Sequence, residues 1–226
     1  MNQDLLNKLS SYISKLLRST FGRGPESCRC TINGKFMVTY INGFISAMEE
    51  VLINQGQDDQ VKKARNAIMN HVLDEVKGYL ESSIGIDIEF YYHDWNFPSN
   101  SGMIFFVFNQ ELKAEVIQSK VNLAELEKEV ARISMLVQKV PDKINIHGIS
   151  SSIYVVERRG ILIPIEKALI NKGFKDELII TKDSIEKSYF FRYGKFEDIF
   201  HKEVKDIFID WDLKADKSIM SFVLKT

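Results

Sequence analysis

One short stretch occurs twice in the chain, and the second occurrence shows how the rest of the sequence is organised. Residues 43–56 are Gly43-Phe-Ile-Ser-Ala-Met-Glu49-Glu-Val-Leu-Ile-Asn-Gln-Gly56, and residues 160–173 are Gly160-Ile-Leu-Ile-Pro-Ile-Glu166-Lys-Ala-Leu-Ile-Asn-Lys-Gly173. The first Gly, the Glu, the Leu-Ile-Asn and the last Gly coincide at a shift of 117 residues (160 − 43 and 173 − 56). Self-similarity at a fixed spacing predicts a duplicated structural unit.

Further matches in the same order support the duplication. The segment His93-Asp-Trp-Asn96 returns as Ile209-Asp-Trp-Asp212, and Pro25 returns as Pro141, both at a shift of 116. We therefore expect two domains, residues 1–115 and a more degenerate copy at residues 116–226. Each should be an α+β domain of the order helix, hairpin, helix, hairpin, with a mainly antiparallel sheet and helices packed on one face.

Hydrophobic periodicity places the elements of the first copy. Apolar residues spaced three and four apart predict an amphipathic helix at residues 3–20. Cys28, Cys30 and Ile32 alternate with polar residues and predict a strand, which Asn33-Gly34 should turn into a hairpin. The remaining elements are a short helix from Ser46, a long helix over 58–83 and a hairpin of strands 86–92 and 103–108. The long helix should turn these residues inward: Val61, Ile68, Val72, Val76 and Tyr79.

The second copy is expected to repeat this order. Its first helix is predicted at residues 126–140 and its first hairpin at 144–149 and 153–156, whereas residues 197–205 fit helix and strand equally. Asn122 and Glu125 resemble a helix-capping box, so the join should lie at about 110–122. Near-heptad apolar spacing over 112–137 predicts a largely helical connection, or alternatively the seam of a coiled-coil dimer.

Composition narrows the class of protein. The chain has 226 residues, a formal net charge of −1 and two cysteines, which argues against a dedicated nucleic-acid binder and against a disulfide framework. No segment approaches the roughly 20 apolar residues that cross a bilayer, and we do not expect residues 1–6 to begin a secretory signal, because no basic region followed by a long apolar stretch is found there. We expect a cytoplasmic protein without direct membrane insertion.

The sequence shows no catalytic motif, so we expect a protein that is not an enzyme and carries no cofactor. Cys28 and Cys30 share one face of a strand, but no second cysteine pair is present and the four histidines are scattered. Metal binding is therefore not expected, and two buried thiols are the better interpretation.

Two groups of residues are candidate binding sites. Gly22, Arg23 and Gly24, with Arg29 on the next strand, could offer backbone N–H groups and guanidinium groups to an anion. The alternative is a tight helix-to-strand turn with a solvated Arg23. Separately, Asp94-Trp95 and Asp210-Trp211 could form a paired ligand site between the repeats. The alternative is a side-chain-capped turn beside a core tryptophan.

Other repeated or charged residues have simpler interpretations. Glu49 and Glu166 recur at helix starts, where a carboxylate stabilises the helix dipole. The run Glu157-Arg158-Arg159 is locally basic and is expected to be a solvated surface.

The segment Phe21-Gly-Arg-Gly-Pro-Glu-Ser-Cys-Arg29 resembles the signature of the MpsC family, which is named for a sodium-translocating, membrane-potential-generating system. Residues 44–49 match the family's second turn, and residues 102–108 match its Gly-containing hairpin and apolar strand. The second copy offers residues 162–167 and 220–224, with residues 138–141 in place of the Gly-Arg-Gly-Pro turn.

The resemblance implies a non-enzymatic accessory or regulatory subunit whose partner is a protein, such as a membrane complex for ion or bicarbonate transport. Because family members usually have one domain, the fused pair implies a pseudo-dimer within the chain, with a homodimer still open. The alternative function is a small-molecule or anion sensor, or an enzyme of unknown type, that uses the cleft between the two repeats.

Overall fold

The computed structural model of the protein describes residues 3–112, 114–115, 117 and 121–225. It divides into two compact units, Met1–Val116 and Ile117–Thr226. Each unit contains a four-stranded antiparallel sheet and its own helices. The predicted α+β class is confirmed.

The first unit follows the predicted order of helix, hairpin, helices and hairpin. Its elements are α1 (Gln3–Phe21), β1 (Ser27–Asn33), β2 (Phe36–Asn42), α2 (Ala47–Asn54), α3 (Asp58–Ile84), β3 (Ile88–Asn96) and β4 (Ser101–Phe108). The strands lie in the order β1-β2-β4-β3. The two hairpins therefore meet at β2 and β4, which form the centre of the sheet.

The core of this unit lies between the helices and one face of the sheet. Leu9, Ile13 and Leu17 form the fully buried stripe of α1, as expected from spacings of four on one helix face. Cys30 and Met37 face them from β1 and β2. Burial of these apolar side chains is the main stabilising contribution to the unit.

The second unit repeats the order of elements of the first, with two helices in place of the long α3. Its elements are α4 (Leu123–Val137), β5 (Lys143–Ser150), β6 (Ile153–Arg159), α5 (Pro164–Asn171), α6 (Lys175–Tyr193), α7 (Phe196–Phe200), β7 (Val204–Asp212) and β8 (Lys217–Leu224). The strand order β5-β6-β8-β7 is the same as in the first unit. The ambiguous residues 197–205 contain most of α7 and the start of β7.

A β-bulge explains why the repeat shift grows from 116 to 117. Gly148 pairs with Tyr154 and Ser150 pairs with Ile153, so Ile149 is an extra residue in β5. The first unit has no such register shift in its β1–β2 ladder, which runs from Ser27↔Asn42 to Asn33↔Phe36. The single-residue insertion is thus absorbed at one point in the hairpin.

A break in the long helix explains why the shift returns to 116. The 27-residue α3 corresponds to the 19-residue α6 and the 5-residue α7, which are separated by Gly194-Lys195. One residue fewer would rotate everything after it by about 100° around the helix axis. The interruption returns the apolar side chains to the core. Phe196 and Phe200 are buried, and they correspond to Leu80, which is buried, and Ile84, which is partly buried, in α3.

Three details of the sequence predictions are wrong. In α3, Ile68 is exposed and Arg65 takes an inward position. The first hairpin loop is Gly34-Lys35, because Asn33 pairs with Phe36 and so belongs to the strand. The side chain of Asn33 donates to the carbonyl of Glu115 and accepts from its N–H. The described residues between Asn109 and Asn122 are not helical, and Val116, which belonged to the predicted heptad, lies outside the described residues.

Two glycines of α3 should respond oppositely to alanine. Gly78 lies in the exposed helix interior with open space around it, whereas Gly85 caps the helix with φ +73°. We expect Gly78→Ala to stabilise the first unit by about 0.5–1 kcal/mol and Gly85→Ala to destabilise it by about 1 kcal/mol. Urea unfolding followed by Trp95 fluorescence, in a Trp211→Phe background, measures both. Equal signs for the two variants would contradict this assignment of the helix end.

Candidate functional site

The most unusual residue of the first unit is Arg65, whose side chain is only 2% exposed. It lies on α3 between Val61 and Met69, on the face that α3 turns toward the core. A guanidinium cannot lose its charge under ordinary conditions. It must therefore find compensating partners inside the protein.

The first partner is the carboxylate of Glu49 on α2. Arg65 Nε donates to Glu49 Oε1 (2.6 Å) and Nη2 donates to Oε2 (2.8 Å), which is the bidentate geometry of the strongest ion pairs. Arg65 Nη2 also donates to the carbonyl of Phe44 (2.8 Å). Burial alone would raise the pKa of the Glu49 carboxyl, but the hydrogen bonds and charge of Arg65 outweigh it and lower the pKa.

Aromatic rings close around the same guanidinium. Its Cζ atom lies 4.5 Å from the ring centroid of Trp95, 4.9 Å from that of Phe44 and 5.7 Å from those of Phe21 and Phe97. The negative faces of aromatic rings attract a cation, and they do so more strongly where water is excluded. Arg65 therefore joins α1, α2, α3 and the β3–β4 hairpin at one point.

This ion pair also determines where α2 begins. Glu49 Oε2 accepts from the backbone N–H of Ser46 (2.8 Å), and Ser46 Oγ accepts from the N–H of Glu49 (3.3 Å), which completes a capping box. Asn100 Oδ1 accepts from the N–H groups of Phe44 and Ile45. The start of α2 is thus held from both sides.

The Gly-Arg-Gly-Pro turn lies beside this helix start. The rings of Phe21 and Phe44 meet edge to face at 5.1 Å, and the N–H of Glu26 donates to the carbonyl of Asn42 (2.9 Å). Pro25 is buried. We call residues 22–26 and 43–51 together the signature surface.

Two exposed apolar side chains project from this surface. Met48 is 77% exposed and Val51 is 56% exposed, both on α2. Arg23 is also exposed on the turn and lies 3.9 Å from Glu26. The signature surface therefore combines apolar contact area with a cation on a rigid base.

Of the four residues predicted to bind an anion, Gly22, Arg23 and Gly24 lie in one turn and Arg29 lies apart from them on β1. Gly22, with φ +72°, ends α1, and Gly24 lets Arg18 pass, since an added Cβ would lie 2.6 Å from Arg18 Nε. The side chain of Arg18, from the last turn of α1, therefore packs against the turn that carries Arg23. Arg29 alternates with the helix-facing Cys28 and Cys30 and so lies on the opposite face of the sheet. Anion binding at this turn stays a prediction.

The second unit places Lys182 where the first has Arg65. Lys182 Nζ donates to Glu166 Oε1 (2.8 Å), as Arg65 does to Glu49, and lies 3.2 Å from Glu186 Oε1. It also donates to Gln138 Oε1. The buried ion pair between the two helices is therefore a repeated feature, at the shift of 117 found in the sequence.

A second cation extends this network. Arg158 is 1% exposed, and its Nη2 donates to Glu186 Oε2 (2.6 Å) while its Nε donates to Ser218 Oγ (2.8 Å). Burial would raise the pKa of Glu186, but the charges of Arg158 and Lys182 outweigh it and lower the pKa. The prediction of a solvated Glu157-Arg158-Arg159 surface is wrong at Arg158, because its charge is neutralised inside the unit.

The repeated Asp-Trp pairs have a local structural role. The N–H of Trp95 donates to Asp94 Oδ1, and that of Trp211 donates to Asp210 Oδ1, both at 2.7 Å. Both indoles are buried among the core residues of their own unit. Trp211 Nε1 donates to Glu186. A paired ligand site formed by these residues stays a prediction.

The two cysteines are free thiols: Cys30 is buried in the core, and Cys28 is partly buried against it. Burial raises the pKa of both Cys28 and Cys30, and Cys30 Sγ lies 3.3 Å from Thr39 Oγ1. In the described part of the chain, no group of three or more His, Cys, Asp or Glu residues could hold a metal ion.

Sequence reasoning assigned Glu49 and Glu166 to helix-dipole stabilisation and missed their cationic partners. Arg65 and Lys182 lie 16 residues further on in each copy. Extending the shift of 117 across the long helix pairs Arg65 with Lys182, a repeated cation in an apolar stripe. That signal is present in the sequence and could have identified the pair.

The fold and this ion pair define a repeated α+β domain in which a buried cation pairs with a glutamate at the start of the second helix. Residues 2–110 match the model of the MpsC family, described as a Na⁺-translocating membrane potential-generating system. The first half of the chain belongs to this family.

Other comparisons add no relative. No curated protein and no solved structure matches the chain. Among the described residues, no helix is both long enough and apolar enough to span a membrane.

Removing Arg65 should severely destabilise the first unit. We expect Arg65→Met to cost about 3–5 kcal/mol, because it leaves the Glu49 carboxylate buried without its cation. Arg65→Met combined with Glu49→Met should cost less than Arg65→Met alone. Urea unfolding followed by Trp95 fluorescence in the Trp211→Phe background tests this. An Arg65→Met variant as stable as its parent would refute the proposed role of the pair.

His93 should make the stability of the first unit depend on pH. Burial, and then the charge of Arg65, lower its pKa from 6.5 to about 4. Below about pH 6.5 the unfolded chain binds a proton that the folded unit does not. The free energy of unfolding should therefore decrease as the pH is lowered from about 6.5 to about 4, by up to about 1.4 kcal/mol per pH unit.

The histidine contribution can be isolated by replacing it. Urea unfolding at about pH 7 and about pH 5 measures it, since both conditions lie above the ordinary carboxylate pKa values of about 3.9 for Asp and about 4.3 for Glu. Carboxylates such as Glu49 therefore contribute little to the difference between the two conditions. We expect His93→Gln to reduce the difference in unfolding free energy between these two conditions. An unchanged difference would show that another group carries the pH dependence.

Proposed function

We propose that the chain is a non-enzymatic binding module that docks on a membrane subunit of a sodium-translocating system. The family match supports this choice of system. The observation that carries the proposal is the signature surface, where the two turns that resemble the family pattern adjoin above one buried ion pair.

The signature surface has properties of a docking site. The Arg65–Glu49 pair and the capping box hold α2 in place, so little conformational entropy is lost when a partner binds. Exposed Met and Arg side chains are enriched in protein interfaces, and here Met48 and Arg23 supply both. A partner with an apolar pocket next to an acidic group would complement them.

The second unit provides a natural comparison. Ile165 takes the place of Met48 and is 65% exposed, and Lys139 takes the place of Arg23, in an ion pair with Asp142 (2.9 Å). The family match is confined to residues 2–110. We therefore assign docking to the first unit and use the second-unit positions as matched controls.

We also propose that the protein is located in the cytoplasm. Its two cysteines are free thiols, which suits a reducing compartment. A cytoplasmic module would contact the parts of the transport system exposed on that side of the membrane.

Affinity purification of the tagged full-length protein from its native host tests the proposal. Gently solubilised membranes would be used, and mass spectrometry would identify the co-purifying chains. We expect Arg23→Ala and Met48→Ser each to reduce recovery of a transport subunit by about tenfold, the size of an interface hot-spot effect. Lys139→Ala and Ile165→Ser should leave recovery unchanged.

Two outcomes would contradict this function. A wild-type chain that purifies alone would argue against a membrane partner. Equal losses in the first-unit variants and their second-unit controls would argue against the signature surface. Arg23, Met48 and Ile165 are exposed and Lys139 is half-buried at the surface, so none of the four substitutions removes a core side chain and each variant should fold.

A further inference from the structure

The segment that forms α2 and the start of α3 carries a different charge from its counterpart in the second unit. Residues 47–60 correspond to residues 164–177 at the shift of 117. The first segment contains four acidic residues and no basic one, whereas the second contains three of each. Glu49 and Glu166 are paired with buried cations. Without these two, the first segment is acidic and the second is slightly basic.

Glu50 is the acidic residue that α2 presents to solvent. The exposed face of this helix, which we call the outer face of α2, consists of Ala47, Met48, Glu50, Val51 and Asn54. Met48 and Val51 are 77% and 56% exposed. Among the described residues, none forms an ion pair with Glu50. The outer face therefore combines a carboxylate in solvent with exposed apolar area.

The second unit carries the opposite charge at the matching position, and there the charge is paired. Lys167 takes the place of Glu50, and its Nζ lies 3.0 Å from Asp216 Oδ2. Asp216 takes the place of the neutral Asn100. Both residues hold a helix start in the same way, because the Oδ1 atom of each accepts from two successive backbone N–H groups. The fold thus accepts either charge at this position, so the carboxylate of Glu50 is available to a partner.

We propose that the outer face of α2 binds a basic segment of the membrane subunit, in which a Lys or Arg lies beside apolar side chains. This inference rests on the docking function proposed above and names the chemistry of the partner. Cytoplasmic loops of membrane proteins carry an excess of Lys and Arg, so a cytoplasmic module would meet such segments. The cation pairs with Glu50, and the apolar side chains pack on Met48 and Val51.

The charge of the outer face also selects among occupants and orients the partner. An anionic lipid surface attracts basic segments and would repel Glu50. Complementary charges fix the register of an interface. With an acidic group expected opposite Arg23 and a basic group opposite Glu50, the partner can satisfy both residues in one orientation.

Charge reversal at Glu50 tests the proposal in the affinity purification from the native host. We expect Glu50→Lys to reduce recovery of the transport subunit by more than about tenfold, because it places two like charges opposite each other. Glu50→Gln removes the attraction alone and should reduce recovery by about threefold. Glu177→Lys makes the same substitution at an exposed position in the first turn of α6 and should leave recovery unchanged.

Ionic strength separates an electrostatic role of Glu50 from a structural one. Salt screens exposed charges, with a Debye length of about 10 Å at about 0.1 M. The ratio of wild-type to Glu50→Gln recovery should therefore fall toward one as sodium chloride is raised from about 0.05 M to about 0.5 M. A ratio that does not change with salt would mean that Glu50 acts through the structure of α2, and it would overturn the proposal.

The remaining outcomes distinguish this inference from the proposed function. Wild-type recovery with Glu50→Lys, or an equal loss with Glu177→Lys, would overturn the inference and leave docking intact. Self-association of the wild-type chain that Glu50→Lys abolishes would identify a second copy as the occupant of the outer face and would likewise overturn it. A wild-type chain that purifies alone would refute the docking function, and this inference with it.

Discussion

The first unit depends on one electrostatic constraint: the guanidinium of Arg65 is buried and has to remain charged. Its bidentate bond to Glu49 fixes α2 against α3. Its contacts with Phe21 and Trp95 bring the end of α1 and the second hairpin to the same point. The signature surface is built on this arrangement, so a single ion pair links the core of the domain to the surface proposed to bind a partner.

The second unit meets the same constraint with different chemistry. A lysine ammonium is a compact point charge and cannot form the fork-like bond of a guanidinium. Lys182 accordingly contacts two carboxylates, Glu166 and Glu186. Two buried carboxylates require a second cation, which Arg158 supplies. At the shift of 117, Glu186 and Arg158 stand where the first unit has the apolar residues Met69 and Ile41. The more extensive network therefore accompanies the exchange of arginine for lysine.

The two copies also show how a domain accommodates changes in chain length. The extra residue in the first hairpin forms a bulge at Ile149, which disturbs the ladder locally and leaves the strand order intact. The missing residue in the long helix interrupts it at Gly194-Lys195, because a continuous helix would turn its apolar stripe away from the core.

The sequence by itself determined the duplication, the α+β class and the order of elements, because periodicity and repeated turns are local signals. It also identified Phe21–Arg29 as the stretch that resembles the family. Only the tertiary structure revealed the roles of Arg65, Lys182 and Arg158. A charged residue in a sequence is expected to face solvent, and its burial depends on whether a carboxylate from another element lies within hydrogen-bond distance. That distance is decided by how the helices pack on the sheet.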